Sequence, residues 1–202
     1  IQDYRRSVLY RLDFDKALLA GAHTGHVEVV RLLLRCKADV SYADCNGKRA
    51  IHYAAEIGSI DIVKQIINAG SPVNVADNTG ATALHYACNL GHTGVVMLLL
   101  QEGAHVNRLR LYHTGETPLH LACKAGRPEI IKMLLSRGAY LQVITSSGQT
   151  ALHLAARSRS ITAVRLICQL GADVNKTDLS GKSALAYATE SGALDILEIL
   201  LQ

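Results

Sequence analysis

The sequence has no tryptophan and a single phenylalanine, and aromatic residues make up only 4% of its 202 positions. Large aromatic side chains usually dominate the core of a globular domain, so a core of that kind is excluded. Because 49% of the residues are nevertheless hydrophobic, we expect leucine, isoleucine, valine and alanine to fill the core. Such side chains suit thin layers of closely approaching helices.

The sequence also lacks the segments that direct a chain into or across a membrane. No apolar run is long enough to span a bilayer, and residues 1–6 do not resemble a signal peptide. The chain has no initiator methionine and ends at Gln202 within an apolar helical pattern. We therefore expect a segment of a longer protein.

The five cysteines are an odd number and lack the spacing of a disulfide framework. Four of them lie on predicted helices as small apolar residues, and Cys45 lies in a predicted turn. Free thiols are typical of reducing compartments, so we expect an intracellular location, in the cytoplasm or the nucleus.

Motifs of common catalytic centres are absent as well. The sequence has no phosphate-binding Walker loop, no Gly-x-Ser-x-Gly and no His-Glu-x-x-His. A nucleophile would also need a base and an orienting group around a pocket, and no residues are set apart in that way. We expect no enzyme activity, no cofactor and no small-molecule substrate.

The formal charge of +4 conceals a change of sign along the chain. Residues 108–165 carry nine Lys or Arg against two acids, whereas residues 65–107 carry two acids and no base. Residues 166–202 have a balance of −3. A basic stretch flanked by acidic ones predicts a local binding surface. It is less typical of a protein that binds nucleic acid or anionic lipid through its overall positive charge.

What the sequence does contain is one unit repeated. The segment Ala-Leu-His-x-Ala and its close variants place His52, His85, His120 and His153 at intervals of 33, 35 and 33 residues. Within one unit, Leu119 and Cys123 share a helical face, and residues 130–135 form a wide apolar second helix. A single unit cannot cover these faces, so the units must stack on their neighbours.

This pattern resembles the ankyrin repeat, whose signature is Thr-Pro-Leu-His-x-Ala at a 33-residue period. Residues 117–122 match the signature in full, and residues 82–87 and 150–155 nearly match it. The resemblance implies an all-α repeat solenoid, an ankyrin-repeat stack of helix-turn-helix units with projecting β-hairpin loops. We expect a flanking or capping segment at 1–13 and an ankyrin-repeat domain at 14–202, with repeats at about 14–42, 43–75, 76–108, 109–143, 144–176 and 177–202.

Two kinds of departure from the pattern stand out. The interval of 35 residues adds two residues to the hairpin at 107–114, in which Tyr112 is predicted to take the position usually held by Asp. Such insertions map to loops, often on the binding face. In addition, Lys37 and Arg159 stand where other repeats have Gly, which predicts backbone strain at both residues.

The nine histidines do not predict a metal site. Four of them occupy one repeat position, at which the resemblance implies hydrogen bonds to the backbone of the neighbouring unit. A structural zinc site needs four converging ligands, whereas the repeat distributes equivalent residues over successive layers. We therefore expect no metal ion.

The resemblance implies that hairpin tips and exposed positions of the first helices line a concave groove. We expect this groove to bind a partner peptide or protein domain with acidic or phosphorylated character, because aromatic residues are enriched at interface hot spots and Arg suits such groups. The predicted partner-binding residues are Tyr53, Ile57, Tyr86 and Leu90 as apolar contacts, Arg108, Arg110, Lys124 and Arg157 as cations, and Tyr112 and His113 on the long hairpin.

Two alternative functions and one modification remain open. The chain is alternatively a structural spacer or oligomerising solenoid of a larger multidomain protein, as the apolar C-terminal end indicates. Binding of nucleic acid or anionic lipid by the basic units is disfavoured by the flanking acids, and membrane association is expected only through a protein partner. The resemblance also implies hydroxylation of the hairpin asparagines Asn74, Asn107 and Asn175.

Overall fold

The structure of the protein, a computed structural model, describes residues 2–110 and 114–202, with the backbone alone at residues 2–12. Within these residues the chain forms twelve α-helices and only isolated β-bridges. The helices are α1 Gln2–Thr24, α2 Val27–Arg35, α3 Ala50–Ile57, α4 Ile60–Asn68, α5 Ala83–Leu90, α6 Thr93–Gln101, α7 Pro118–Lys124, α8 Pro128–Ser136, α9 Ala151–Arg157, α10 Ile161–Gln169, α11 Ala184–Glu190 and α12 Leu194–Leu200. The chain is therefore an all-α repeat protein, as the sequence predicts.

Helix α1 is continuous from Gln2 to Thr24. The segment proposed to flank the first repeat, residues 1–13, thus runs into the first helix of that repeat without a break in the described backbone. In the later repeats, numbered here by the six ranges given above, a short first helix is followed by a tight turn and a second helix. A hairpin then leads to the next repeat.

The helices form two compact units, one of residues 1–87 and 94–104 and the other of residues 88–93 and 105–202. Each unit has a core of aliphatic side chains, as the shortage of aromatic residues predicts. The largest fully buried side chains include Ile51, Ile62, Ile66, Leu84 and Leu99 in the first unit and Leu119, Ile130, Ile131, Leu134, Leu152 and Ile167 in the second. In the second unit, burial also raises the pKa of the Cys88 and Cys123 thiols, which keeps both protonated.

The histidine of repeats two to five bonds to the start of its own first helix, and at His52, His120 and His153 it also bonds to the following hairpin. In the fourth repeat, Nδ1 of His120 accepts a hydrogen bond from the Thr117 backbone N–H at 3.1 Å, and Nε2 donates to the Val143 carbonyl at 3.0 Å. The same two bonds occur at His52, with Arg49 and Val75 as partners, at 2.9 and 3.1 Å. The implied role of this histidine as a backbone bridge is therefore confirmed.

Neighbouring hairpin tips are joined by backbone hydrogen bonds. Ser146 N donates to the Thr114 carbonyl at 2.8 Å, and Leu179 N donates to the Ser147 carbonyl at 3.0 Å. Gly148 permits this approach, because it has φ +77° and a Cβ there would lie 2.9 Å from Leu179 N. The tips within the second unit are therefore held in register by the main chain.

Two non-glycine residues adopt the left-handed conformation that the sequence predicts. Lys37 has φ 64°, where the corresponding Gly103 has φ 81°. Arg159 has φ 59°, where the corresponding Gly126 has φ 63°. The positive φ expected at Lys37 and Arg159 is thus confirmed, and this region is unfavourable for residues that carry a Cβ.

Replacing Lys37 or Arg159 by Gly should stabilise the protein by about 0.5–1 kcal/mol each, because relief of strain exceeds the added entropy of the unfolded chain. Urea unfolding monitored by circular dichroism measures the change. The control is Lys64→Gly, at an exposed position inside α4, which should destabilise the protein by about 1 kcal/mol. Equal losses of stability in all three variants would show that the backbone at Lys37 and Arg159 is not strained.

Candidate partner-binding surface

Three positions recur in each of repeats two to six and hold polar residues everywhere except at Ala81, and we call them the rim triad. The first is the residue that begins the hairpin tip, the second is the residue that ends it, and the third lies in the last turn of the first helix. In order of repeats the triads are Asp44, Lys48 and Glu56; Asp77, Ala81 and Asn89; Arg110, Glu116 and Lys124; Thr145, Gln149 and Arg157; and Asp178, Lys182 and Glu190.

In the second and sixth repeats the triad has the order acid, base, acid. The base at the second position forms an ion pair with the acid at the third position. Lys48 Nζ lies 2.9 Å from a Glu56 carboxylate oxygen, and Lys182 Nζ lies 2.5 Å from one of Glu190. The Asp178 carboxylate accepts hydrogen bonds from the backbone of its own tip, such as Lys182 N at 3.0 Å. The lysines of these two triads therefore already have acidic partners.

The tyrosines that sequence reasoning proposed as contacts are bonded to the first residue of the triad. Tyr53 donates its hydroxyl hydrogen to Asp44 at 2.5 Å, and Tyr86 donates to Asp77 at 2.5 Å. The bond to Asp44, together with burial, raises the pKa of Tyr53 to about 12. Lys48 Nζ also lies over both rings, 5.1 and 4.3 Å from their centroids. Both rings are half-buried, so they offer a partner only part of their surface.

The fourth repeat has the triad with every charge inverted. Arg110 N donates to the Glu116 carbonyl at 3.0 Å, the bond that Asp77 N makes to the Ala81 carbonyl at 2.9 Å in the third repeat. This bond closes the hairpin tip and fixes its register. Arg110 therefore takes the usual Asp position in the bond that closes the tip, whereas the sequence assigns Tyr112 to that position. Tyr112 itself lies outside the described residues.

Glu116 is the acidic centre of the inverted triad and is only 4% exposed. Its carboxylate lies 3.0 Å from Lys124 Nζ and 3.5 Å from Arg110 Nη1, and it accepts a 2.8 Å hydrogen bond from the Thr114 hydroxyl. Burial would raise the pKa of Glu116, but the bonds from Lys124 and Thr114 and the two positive charges outweigh it and lower the pKa. The charges of Arg110 and Lys124 are thus shared with an internal acid.

The fifth repeat contains a cation that has no such acid. Its second triad residue is Gln149, whose side-chain amide donates to the Tyr187 hydroxyl at 2.7 Å. Arg157 is exposed, and its guanidinium carbon lies 5.9 Å from the centroid of the Tyr187 ring. Among the residues that the structure describes, no carboxylate lies within ion-pair distance of Arg157.

A cavity of about 410 Å³ opens beside these residues in the second unit. It brings together Lys124 and Arg157, which hold the same position in adjacent repeats. The hairpin tips supply hydroxyl groups to its wall, and Leu154 supplies an apolar surface. The lining residues are Thr114, Glu116, Lys124, Thr145, Ser146, Ser147, Gln149, Leu154 and Arg157.

The other predicted partner-binding residues are not among the lining residues of this cavity or are not described. Ile57 belongs to the first unit and Leu90 to the second, and both side chains are exposed. Arg108 is exposed as well. His113, like Tyr112, lies outside the described residues.

Sequence reasoning gave no special role to Glu116 and Gln149, which it treated as ordinary tip positions. A signal was present, because the residue eight positions further on is an opposite charge in three repeats: Lys48 and Glu56, Glu116 and Lys124, Lys182 and Glu190. Only the fifth repeat combines a charged third position with a neutral second one. That comparison singles out Arg157.

The asparagines proposed for hydroxylation differ in their bonding. The side-chain amide of Asn74 donates to the Gly103 carbonyl at 3.0 Å, and that of Asn107 donates to the Gly138 carbonyl at 2.9 Å. Asn107 also accepts a 2.8 Å bond from Tyr140 N. Asn175 is exposed, and its backbone N–H donates to the Asp173 carboxylate at 2.9 Å.

Neither a metal site nor a membrane span is evident in the described part of the chain. No three His, Cys, Asp or Glu side chains of residues 13–110 and 114–202 come together to bind a metal ion. Of the helices described, none combines the length and the apolar character that crossing a bilayer requires.

A family model described as Ankyrin repeats (3 copies) matches the chain in four overlapping stretches, residues 9–77, 51–145, 107–178 and 141–202. Together the matches extend from residue 9 to residue 202. The comparison with curated proteins found no match. The family is thus shown by the repeat itself, and the particular partner is not.

Replacing Glu116 by Gln should lower the free energy of unfolding at pH 7 by about 1–3 kcal/mol, because it removes a buried acid bonded to two cations. The pKa of Glu116 is lowered in the fold. Its contribution is therefore complete above the ordinary pKa of 4.5 and is lost as the pH falls through the lower folded value. Urea unfolding at several pH values should show the difference between wild type and variant shrinking in acid.

The matched control is Glu129→Gln, which breaks the exposed 3.2 Å pair with Lys132 and should cost less than about 0.5 kcal/mol. Similar losses for the two variants would contradict the central role of Glu116 in the fourth repeat.

Proposed function

Because the chain belongs to the ankyrin-repeat family, we propose that it is a non-catalytic interaction module that binds an acidic segment of a protein partner. Ankyrin repeats generally mediate protein–protein interaction. The observation that carries the acidic character is the cavity in the second unit, where Arg157 has no acid within ion-pair distance among the described residues and Lys124 lies beside it. Arg suits such a ligand, because its guanidinium binds carboxylate and phosphate groups through paired hydrogen bonds.

The remaining predicted residues extend this proposal. Leu90 and Arg108 would add contacts in the second unit, and Tyr112 and His113 would contact the edge of the ligand. Arg110 would act indirectly, because it helps to hold Glu116 (3.5 Å) and thereby the position of Lys124. Tyr53, Ile57 and Tyr86 would form a separate apolar patch on the first unit. An intracellular location is part of the proposal, because all five cysteines are free thiols.

A structural spacer or oligomerising role is the second candidate. The observation that favours it is the exposure of Leu179, Leu194 and Leu201, whose side chains are 79%, 73% and 72% exposed. Apolar residues this accessible can bury against another repeat or another copy of the chain. Light scattering at increasing concentration distinguishes the roles, because an oligomerising segment would not remain a monomer.

A displayed library of random short peptides, selected against the chain, tests the main proposal. We expect the selected peptides to be rich in Asp and Glu, and we expect Arg157→Glu to weaken their binding about tenfold or more, since an attractive charge becomes a repulsive one. Lys124→Gln should weaken binding less, because Lys124 shares its charge with Glu116. Fluorescence anisotropy with a labelled selected peptide provides the affinities.

The matched control is Arg165→Glu in the same repeat, because Arg165 is exposed on the second helix, α10. This variant should bind the peptide as the wild type does. Selected peptides without acidic enrichment, or equal affinities of the Arg157→Glu and Arg165→Glu variants, would contradict the proposed surface.

We also propose that Asn175 is the preferred site of hydroxylation among the three hairpin asparagines. The side-chain amides of Asn74 and Asn107 bond to backbone carbonyls, whereas Asn175 is exposed. After incubation with an asparaginyl hydroxylase, intact-mass measurement should show one added oxygen atom in the wild type and none in Asn175→Ala. An unchanged mass, or an addition that persists in the variant, would refute the assignment.

A further inference from the structure

We propose that the cavity beside Arg157 is a subsite for a single acidic side chain, Asp or Glu, of the partner and that it discriminates against a phosphorylated residue. This inference rests on the proposed function and narrows it, because the sequence pattern leaves acidic and phosphorylated partners equally open. Three observations favour the acidic side chain: the charge of the cavity lining, its hydrogen-bond donors and the comparison of equivalent residues in the fourth and fifth repeats.

The charge of the lining matches one carboxylate. Its ionisable residues are Lys124, Arg157 and Glu116, two cations and one acid, which leave a balance of one positive charge. A carboxylate brings one negative charge and neutralises that balance. A phosphorylated side chain brings a charge of about −1.5 to −2 at pH 7. Beside the ionised and buried Glu116, that excess would be repelled.

Comparison of adjacent repeats shows where the carboxylate would lie. Glu116 and Lys124 hold the second and third triad positions of the fourth repeat, and their side chains meet at 3.0 Å. The equivalent residues of the fifth repeat are Gln149 and Arg157. An acid is therefore missing from the fifth repeat at the position where the fourth repeat has one. A partner's Asp or Glu would supply to Arg157 what Glu116 supplies to Lys124.

Arg157 is prepared for this role by the residues around it. Its guanidinium lies 5.9 Å from the Tyr187 ring centroid, within the range of a cation–π contact. The hydroxyl of Tyr187 is fixed in turn, because it donates to Asp178 at 2.6 Å and accepts from Gln149 at 2.7 Å. A guanidinium steadied over a fixed ring loses less conformational freedom when it binds a carboxylate.

The hairpin tips favour an acidic side chain over the terminal carboxylate of a partner. Terminal carboxylates are typically captured by groups of available backbone N–H donors. The tip amides of Ser146 and Leu179 already donate to the carbonyls of Thr114 and Ser147. Ser146 and Ser147 are exposed residues of the cavity wall, and the Ser147 hydroxyl shares a 2.9 Å hydrogen bond with the Thr145 hydroxyl. Side-chain donors of this kind suit a carboxylate that enters beside them.

The experiment follows the Arg157 Nε–Hε signal by nuclear magnetic resonance of the ¹⁵N-labelled chain, with the signal assigned from the Arg157→Lys variant. The probes are acetyl-glutamate amide, acetyl-phosphoserine amide, acetyl-glutamine amide and acetylglycine. We expect a saturable shift with the glutamate probe and an affinity about fivefold or more lower for the phosphoserine probe and for acetylglycine, as the charge balance and the occupied tip amides require. The glutamine probe should produce no shift.

The decisive variant is Gln149→Glu, which rebuilds inside the fifth repeat the acid–base pair of the fourth. It should lower the affinity for the glutamate probe about tenfold or more while Arg157 is still present, because the new carboxylate competes for the guanidinium. The matched control is Gln149→Met, which also loses the bond to Tyr187 but adds no charge, and it should keep most of the affinity. Circular dichroism checks that both variants are folded.

Tighter binding of phosphoserine, equal binding of acetylglycine, or full affinity in Gln149→Glu would overturn the inference. These outcomes are distinct from failure of the proposed function. If selected acidic peptides lose binding in Arg157→Glu while the phosphoserine probe binds more tightly than glutamate, the interaction surface stands and the subsite chemistry is wrong. If the Arg157→Glu variant binds the selected peptides as tightly as the wild type does, the proposed binding surface itself is wrong.

Discussion

The buried histidine of the repeat is the interaction on which the rest of the structure depends. It closes the start of its own helix through Nδ1 and reaches a backbone carbonyl of the following hairpin through Nε2, as His120 and His153 show. One imidazole therefore links the first helix of its repeat to the backbone of the hairpin that leads to the next repeat, without using any side chain of that hairpin. Burial also lowers the pKa of His52 and His120, which keeps the ring in the form that can both accept and donate. Because this link is made to the backbone, the residues on the rim are free to differ from repeat to repeat.

The rim triads show how that freedom is used. Repeats two and six have the order acid, base, acid, and the fourth repeat has the opposite order with Glu116 at its centre. Inverting all three charges keeps the local attraction while it changes the net charge of the triad from negative to positive. The sign of the rim thus differs between repeats that keep the same kind of internal ion pair. The fifth repeat goes further, because it keeps the positive third residue, Arg157, and replaces the acid by Gln149.

The sequence predicts the repeats and their strained turns but not the details of the rim. The recurrence of His52, His85, His120 and His153 is sufficient for the fold, and the two replacements of Gly predict positive φ at Lys37 and Arg159. The place of the two inserted residues cannot be read in this way, because a hairpin tip can lengthen on either side of its closing bond. Only the bond from Arg110 N to the Glu116 carbonyl shows that Arg110 replaces Asp. The hydrogen bond from the Tyr53 hydroxyl to Asp44 could not be predicted from the sequence either. The two residues are nine positions apart, a spacing that no helical or strand periodicity connects.

The basic stretch at 108–165 is a poorer guide to binding than its charge suggests. Of its cations, Arg110 and Lys124 share the carboxylate of Glu116, and Lys132 lies 3.2 Å from Glu129. Such internal pairing reduces the field that a ligand meets, because Lys132 with Glu129 has almost no net charge at a distance and Arg110 and Lys124 with Glu116 keep one positive charge instead of two. A count of charges therefore overstates the attraction and cannot say which cation acts. Arg157 combines exposure, a supporting aromatic ring and the absence of an acid within ion-pair distance among the described residues. In the proposed function, the specificity of the surface therefore depends on that one combination more than on the sum of nine positive charges.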